Sequence, residues 1–470
     1  MSQTRVEPGD PVPGTHLSRR TLLTTTAAAA ASTLPATARA APNGKIGVGF
    51  IGFGLIGKRH VLDFQAQPDV NMVAVCDCHA GRLEEAKALI GGGVRGYSDF
   101  RKLLDDRDVE AVVISTPDHW HALMAMLACA AGKDVYVEKP VTLFPREGRW
   151  MLEVAKRHKR VVQVGTQQRS GSHYADARKL IQSGHIGKVV SVRMQSYRNI
   201  VPGFGRPADG PPPAGFDWDM FLGPAPERPY NPNRGLYHFR WFWDYSGGQM
   251  TNLGQHSLDI VDWYLGPLAL KSVASFGGRF ALTDNGETPD TQDAVFEFPG
   301  FTAVWSHREA AQGEAAGSSL VFCGTKGSLS VSRSGYIVTP DRVVRPEDAV
   351  PQFTEGGQPV GGVARAAQPA ENKLWTTAVS DRRGNSQDQF TRHVRHFLDC
   401  VKSRKEPVSD LNSGQRVATF CHLANLSLRV GRSLQWDAVA ETIRGDAAAA
   451  AMLERTYRPP WDGLLRGVLS

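Results

Sequence analysis

Short apolar runs alternate with helix-period stretches through the first third of the chain. Ile46, Val48 and Phe50 alternate with Gly47, Gly49 and Ile51, which predicts a buried strand, and 55–65 reads as the helix after it. The same rhythm continues as a strand at 71–75, a helix at 80–89, a short helix near 98–104 and a strand at 109–114. It then gives a helix at 119–130, a strand at 134–137, a helix at 146–158 and an extended stretch at 160–164. Strands alternating with helices at this spacing predict a doubly wound α/β Rossmann-type parallel sheet, with its ligand beyond the carboxyl ends of the strands.

From about 188 the pattern changes. Val189, Val192, Met194, Val273, Val295, Phe296, Phe298, Val304, 320–322 and 329–331 lie in short segments separated by glycine, asparagine and proline. Such spacing predicts a large, mainly antiparallel sheet in an α+β second domain. Residues 341–386 are rich in glycine, proline and arginine with little periodicity, and an irregular surface arm is expected there. Phe390, Val394, Phe397 and Val401 line one helix face; Val417, Phe420, Cys421, Ala424 and Leu428 line another that ends at Gly431. The expected organisation is 1–40 as an export signal, 41–166 as the nucleotide-binding domain and 167–470 as the substrate-binding and oligomerisation domain.

The strand at 46–51 runs into Gly52-x-Gly54-x-x-Gly57. Gly47-x-Gly49-x-x-Gly52 also fits that spacing but follows no strand, so context selects the later triplet. In it Gly52 makes the tight turn, Gly54 lets backbone N–H groups approach a pyrophosphate and Gly57 lets the helix pack close; Phe53, Leu55 and Ile56 complete the loop. Asp77 ends the next strand, twenty residues beyond Gly57, where an acid meets adenosine ribose hydroxyls. It favours NAD, with Arg82 close enough to leave NADP open.

Composition narrows the class. The chain has 470 residues, 41% of them hydrophobic, with no run of eighteen apolar residues to span a membrane. The formal charge of +7 includes a net +2 from residues 1–40, and no basic patch is interleaved with aromatics, so no nucleic-acid partner is expected. Ser18-Arg19-Arg20-Thr21-Leu22-Leu23, a weakly apolar stretch and Ala38-Arg39-Ala40 resemble a twin-arginine export signal with a cleavage site. That route carries folded proteins. A dinucleotide bound in the cytoplasm would therefore be carried out with the chain and restored internally during turnover. Periplasmic or secreted location is expected. The six cysteines show no C-x-x-C and are read as small apolar residues. His119 and His121 form H-x-H, but no further ligands stand at suggestive spacing, so no metal is expected; Asp118 is expected to cap the helix.

Two stretches carry polar groups suited to chemistry. Val135-Tyr136-Val137 ends in Glu138-Lys139-Pro140 at the sheet's carboxyl edge, where partial desolvation would bring Lys139 toward a useful acid/base range. Asn252, His256 and Asp259 stand at i, i+4 and i+7 and are expected to share a helix face. Ten of the forty aromatic residues fall between Phe216 and Tyr245, among prolines and glycines, where rings such as Tyr237 and Trp243 could stack on sugar faces and Arg240, Tyr237 and His238 could bind hydroxyls. His393 and His422 read as structural.

Together GFIGFGLIG, Ser115-Thr116-Pro117 followed by His121, Glu138-Lys139-Pro140, Gly165 before Gln167-Gln168-Arg169, and Gly-Gly followed by His256-x-x-Asp259 resemble the Gfo/Idh/MocA oxidoreductases of sugars and cyclitols. The similarity runs from about Lys45 to Trp461. It implies a Rossmann domain, an open sheet facing the nicotinamide, and homodimers or homotetramers formed through that sheet. It further implies cofactor contacts from Ser115, Thr116, Pro117, His121, Glu138, Lys139 and Gln168, with Lys139 and His256 as the acid/base pair. Arg169, Tyr197, Tyr237, Arg240, Trp243, Asn252 and Asp259 are the expected substrate-facing set. Many members place Asp four residues before the histidine; Asn252 here is expected to hydrogen-bond His256 without charging it, leaving more proton transfer to Lys139. Members include periplasmic glucose-fructose oxidoreductases, and related families include NAD-dependent glycoside hydrolases. The expected activity is hydride transfer between a carbohydrate carbon and a retained NAD(P), with redox-neutral glycoside cleavage and non-catalytic sugar binding as the alternatives.

Overall fold

A computed structural model describes residues 44–313, 317–344, 369–382 and 386–470, with Gly356 and Gly384. The expected export signal and the middle of the 341–386 stretch lie outside these residues.

Six strands form the first sheet: β1 (Ile46–Ile51), β2 (Val70–Cys76), β3 (Arg95–Tyr97), β4 (Ala111–Ile114), β5 (Asp134–Val137) and β6 (Val162–Val164). All pair in parallel in the order β3-β2-β1-β4-β5-β6. Between them run α1 (Leu55–Gln65), α2 (Ala80–Ile90), α3 (Phe100–Leu104), α4 (Asp118–Ala130) and α5 (Pro145–Arg157). The strand order reverses between β1 and β4, which opens a crevice at their carboxyl ends. Every residue of β1, β4 and β5 is buried because helices cover both faces, and this is why these strands read as continuous apolar runs.

The second part contains α6 (Ser172–Gln182), β7 (Val189–Tyr197), α7 (Trp218–Leu222) and α8 (Gln255–Leu265), followed by β8 (Ser272–Gly278), β9 (Thr291–Phe298) and β10 (Phe301–Arg308). Next come β11 (Gly317–Gly324), β12 (Gly327–Ser332), β13 (Gly335–Pro340), β14 (Arg342–Val344), β15 (Pro369–Leu374) and β16 (Val379–Asp381). The chain continues through α9 (Ser386–Ser403), α10 (Leu411–Val430), β17 (Leu434–Asp437) and β18 (Thr442–Arg444). Ten of the strands make one sheet in the order β16-β13-β12-β11-β7-β10-β9-β8-β17-β18, antiparallel except for β7 beside β10. In β9 the residues Gln292, Ala294, Phe296 and Phe298 point into the core while Val295 and Glu297 are exposed. The inner face packs Trp305, Phe296 and Phe322 against Tyr174 of α6, Tyr264 of α8 and Phe420 of α10.

One expectation changes here. The 341–386 stretch is ordered at both ends, where β14 pairs with β15 and β16 extends the large sheet beside β13. The helical face of Val394 and Phe397 lies on the first sheet: Phe397 meets Phe64 of α1 at 6.2 Å between ring centroids, so α9 covers the nucleotide-binding layer although it follows the large sheet in sequence. All six cysteines are free; Cys76, Cys129, Cys400 and Cys421 are buried. Among the described residues no helix is long and apolar enough to cross a membrane.

Candidate functional site

The turn from β1 into α1 opens a cavity of about 630 Å³ at the carboxyl edge of the first sheet. Gly52 sits at φ +90°, and a Cβ at Gly57 would stand 2.1 Å from the Gly52 carbonyl oxygen, so no larger residue fits where α1 crosses the strand. The α1 N-terminus has no side-chain cap and no acid in its first turn, which leaves its N–H groups available to an anion. Gly52, Phe53, Gly54, Leu55, Ile56, Asp77, Ser115, Thr116, Pro117, His121, Glu138 and Lys139 all line the cavity. Asp77 is buried and accepts from the N–H groups of Phe53 (2.7 Å) and His79 (2.8 Å); burial raises its carboxyl above the usual range despite those bonds. Ser115 Oγ, Thr116 Oγ1 and His256 Nδ1 are buried without a partner among the described residues. Polar atoms orphaned on a cavity wall beside an uncapped helix N-terminus fit a dinucleotide that supplies their missing partners.

Glu138 and Lys139 follow β5 directly. Glu138 Oε1 accepts from Gln167 Nε2 and faces His60 Nε2, each at 2.7 Å. Burial alone would raise this carboxyl, but the His60 bond and the charges of His60, Lys139 and His121 outweigh it and hold the group below its ordinary range. Gly165 makes room, since a Cβ there would lie 2.5 Å from Glu138 Oε1. Lys139 Nζ donates to the Asn252 carbonyl oxygen (2.6 Å) and to Asn252 Oδ1 (3.0 Å). Burial brings its ammonium down to about 8; Arg240 and Arg333 push the same way, and Glu138 and Asp118 oppose them. His256, also on the cavity wall, is held well below the ordinary histidine range by burial and by the charges of Lys139 and Arg333, so it is neutral at pH 7. His121 bridges the carbonyl oxygens of Pro140 (2.6 Å) and Thr116 (2.8 Å), tying together the segments that follow β5 and β4.

A strap from the second part crosses the cavity. Gly215 accepts from Ala80 N–H at 2.7 Å and Asp217 N–H donates to Cys78 at 2.9 Å, which fastens the strap beyond β2. At α4 the indole of Trp120 donates to the Phe221 carbonyl at 3.0 Å, and Ser246 Oγ donates to Asp118 at 2.6 Å. Between these anchors Phe216, Met220, Phe221, Leu236, Tyr237 and Phe239 face the cavity. Much of the aromatic cluster is therefore packing: Phe216, Phe221, Phe239, Trp241, Phe242 and Tyr245 form a buried group of their own.

Several expected site residues are placed elsewhere. Arg169 and Asp259 pair with each other in the interior, with Arg169 Nε 2.9 and 3.0 Å from the two Asp259 oxygens, beside the Arg416–Asp262 pair. Tyr197 OH meets Ser306 Oγ at 2.9 Å on the large sheet, and Trp243 stacks under Arg429 at 5.2 Å; neither lines the cavity. His238 stacks on Phe204 at 4.5 Å, also off the cavity. In the 3₁₀ turn Gln167–Ser170 it is Gln167, not Gln168, that reaches the wall and binds Glu138. Asn252, in the π-helical turn Met250–Gly254, and His256, at the start of α8, both line the cavity, while Asp259 one turn further along α8 is taken up by Arg169. Asn252 binds Lys139 and Gln249 and makes no hydrogen bond to His256. Asp118 is not the α4 cap, which falls at Pro117; its carboxylate accepts from Ser246 instead. Arg333, at the β12–β13 turn, lines the cavity with no local sequence signal to mark it. His393 and His422 are buried against Val164, Ser170 and Thr142.

Three family models match. Residues 46–166 match an oxidoreductase family with an NAD-binding Rossmann fold; 170–273 and 380–463 match that family's C-terminal alpha/beta domain; 225–330 match a GFO/IDH/MocA C-terminal domain. The chain is 33% identical over 162 residues to inositol 2-dehydrogenase of Salmonella typhimurium, a match covering 34% of this chain and 48% of the relative, about half its length. It is 25% identical over 399 residues to scyllo-inositol 2-dehydrogenase (NAD(+)) of Bacillus subtilis, covering 82% of this chain and 95% of that one. The crystal structure of myo-inositol 2-dehydrogenase from Lactobacillus plantarum superposes with a TM-score of 0.57 at 20% identity, over 83% of this chain and 99% of the other, which is a likeness of fold.

Proposed function

The chain belongs to the GFO/IDH/MocA oxidoreductase family with its NAD-binding Rossmann fold, and from that premise we propose that it is an exported sugar or cyclitol oxidoreductase that keeps its NAD through turnover. The observation that carries this reading is Lys139, an amine lowered to about 8 inside the dinucleotide cavity, next to a neutral His256. A neutral amine has two N–H donors and one lone pair. Both donors have acceptors on Asn252, so the lone pair is left to take a proton from a substrate hydroxyl. His256 hydrogen-bonds the same hydroxyl, and the Asn252 contacts hold Lys139 in position. A dinucleotide bound there would supply the hydride acceptor for the carbon bearing that hydroxyl, and in a chain that retains it a second, carbonyl substrate would be needed to take the hydride back.

Retention is supported by the strap, which lines the cavity and is fastened beside it by hydrogen bonds at Ala80, Cys78 and Trp120. The twin-arginine sequence at 18–23 supports a periplasmic or secreted location. A homodimer or homotetramer through the large sheet is supported by Val190, Phe276, Val295 and Ile337, which are exposed apolar side chains on its strands.

With the mature protein, free hexoses and inositols are expected to change the nicotinamide absorbance of the bound cofactor, and a second carbonyl compound to reverse the change. Net cleavage of aryl glycosides without net cofactor change would instead assign redox-neutral hydrolysis. In the direction of alcohol oxidation Lys139 acts as a base, so the rate rises with pH and levels off above about 8. The reverse direction, which uses the ammonium form, declines over the same interval. Asn252→Asp places a carboxylate on that ammonium and is expected to raise the half-plateau pH by about 1 to 3. An unchanged half-plateau in that variant would remove Lys139 as the titrating base.

A further inference from the structure

The cavity holds more positive charge at its reacting end than the dinucleotide uses. Lys139, Arg240 and Arg333 all line that end. Arg240 comes from the strap, where its guanidinium sits 4.8 Å from the ring centroids of both Tyr237 and Phe239 and donates to the Tyr237 carbonyl at 3.0 Å. Arg333 comes from the turn between β12 and β13 on the large sheet. Both are close enough to lower the Lys139 ammonium, and Arg333 also lowers His256.

Neither guanidinium has a carboxylate within ion-pair distance among the described residues, whereas the strap's Arg228 and Arg234 pair with Asp244 and Asp209, and Arg308 of β10 pairs with Asp293. The two carboxylates nearest the reacting end are engaged otherwise: Asp118 by Ser246, Glu138 by His60 and Gln167. The cofactor's phosphates do not account for the excess. They have the glycine loop and the α1 N-terminus, with Arg82, which acts on Asp77 beside Gly54, and Arg59 of α1, which pairs with Asp63, as the cations on that side.

Two guanidinium groups from separate segments, converging without counter-ions on an acid/base lysine, form a site for an anion. We infer that the substrate is an anionic carbohydrate, a sugar carboxylate or sugar phosphate, whose charged group sits between Arg240 and Arg333 while its hydroxyl meets Lys139. This inference rests on the oxidoreductase reading and narrows it to a substrate class.

The test compares glucuronate, galacturonate and glucose 6-phosphate with glucose, galactose and myo-inositol, following reduction of the bound cofactor in the mature protein. At least one anionic compound is expected to exceed its neutral parent by about tenfold or more in kcat/KM. Arg333→Gln, an exposed turn substitution, is expected to narrow that ratio by about tenfold to a hundredfold, mainly through KM, with Arg240→Gln acting in the same direction. Preference for the carboxylates or for the phosphate identifies the anion. Neutral sugars that match or exceed every anionic one, or an Arg333→Gln variant that loses acidic and neutral substrates equally, would overturn the inference and leave the oxidoreductase reading standing. If no sugar of either kind alters the cofactor absorbance, both fall together.

Discussion

Replacing Lys139 with methionine is expected to slow reduction of the bound cofactor by about 10²–10⁴-fold, the usual contribution of a positioned general base. Methionine keeps much of the unbranched stem and removes the amine. The wall contributed by β5 therefore stays in place, and dinucleotide content should match that of the unaltered protein. The variant does leave two Asn252 oxygens without their donor. Some loss of stability is expected for that reason, so the comparison is made per folded, cofactor-loaded molecule. A rate within tenfold of the parent would move the proton transfer to His256, against the direction in which burial and the adjacent charges have moved that ring. The remaining slow turnover should also lose the rise in rate toward pH 8 that Lys139 produces.

The second large effect is on stability rather than turnover. Arg169→Met is expected to destabilise the fold by about 3–5 kcal/mol, because it strands a buried carboxylate. Asp259 is about 1% exposed and has Arg169 as its side-chain partner, with the negative charge of Asp262 nearby. The guanidinium also donates to the Val408 carbonyl at 3.0 Å, so the loop before α10 loses an anchor at the same time. Chemical denaturation of the single variant should show the loss directly. Converting the pair together, Arg169→Met with Asp259→Leu, should restore much of it, since well-packed apolar residues replace a buried ion pair at little net cost. Turnover per folded molecule should survive in the double variant. Loss of turnover there with stability intact would return both residues to the substrate-facing set in which the sequence motif had placed them.

That contrast locates what a single sequence can convey. The β1–α1 turn was legible because its requirement is local: three glycines at fixed spacing answer to one tight turn and one close helix crossing, and the Cβ clash at Gly57 is the physical form of that rule. The strands of the first sheet were legible because burial on both faces makes them continuously apolar. Glu138 and Lys139 were legible as polar residues at the end of such a strand. Asn252 and His256 come together on the cavity wall as their spacing suggests, but spacing along α8 carries no sign of the distant Arg169 that engages Asp259 in the interior. Gln167 and Gln168 are adjacent, and no rule of spacing says which of them a 3₁₀ turn sends to Glu138. Arg333 had no signal at all, being one arginine in a hairpin turn whose approach to the cavity depends on how the large sheet folds. In the same way the packing of α9 on the first sheet is a long-range outcome: its apolar face was visible in sequence, but its partner Phe64 was not.

The central claim is that this chain works with a dinucleotide it does not exchange, and the most direct measurement is on protein purified after its own export. Denaturing it after extensive dialysis should release NAD or NADH in stoichiometric amount, and the intact protein should be reduced by one substrate and reoxidised by another with no nicotinamide appearing in solution. Protein that purifies empty, or that exchanges its cofactor freely with added NAD, would contradict the account.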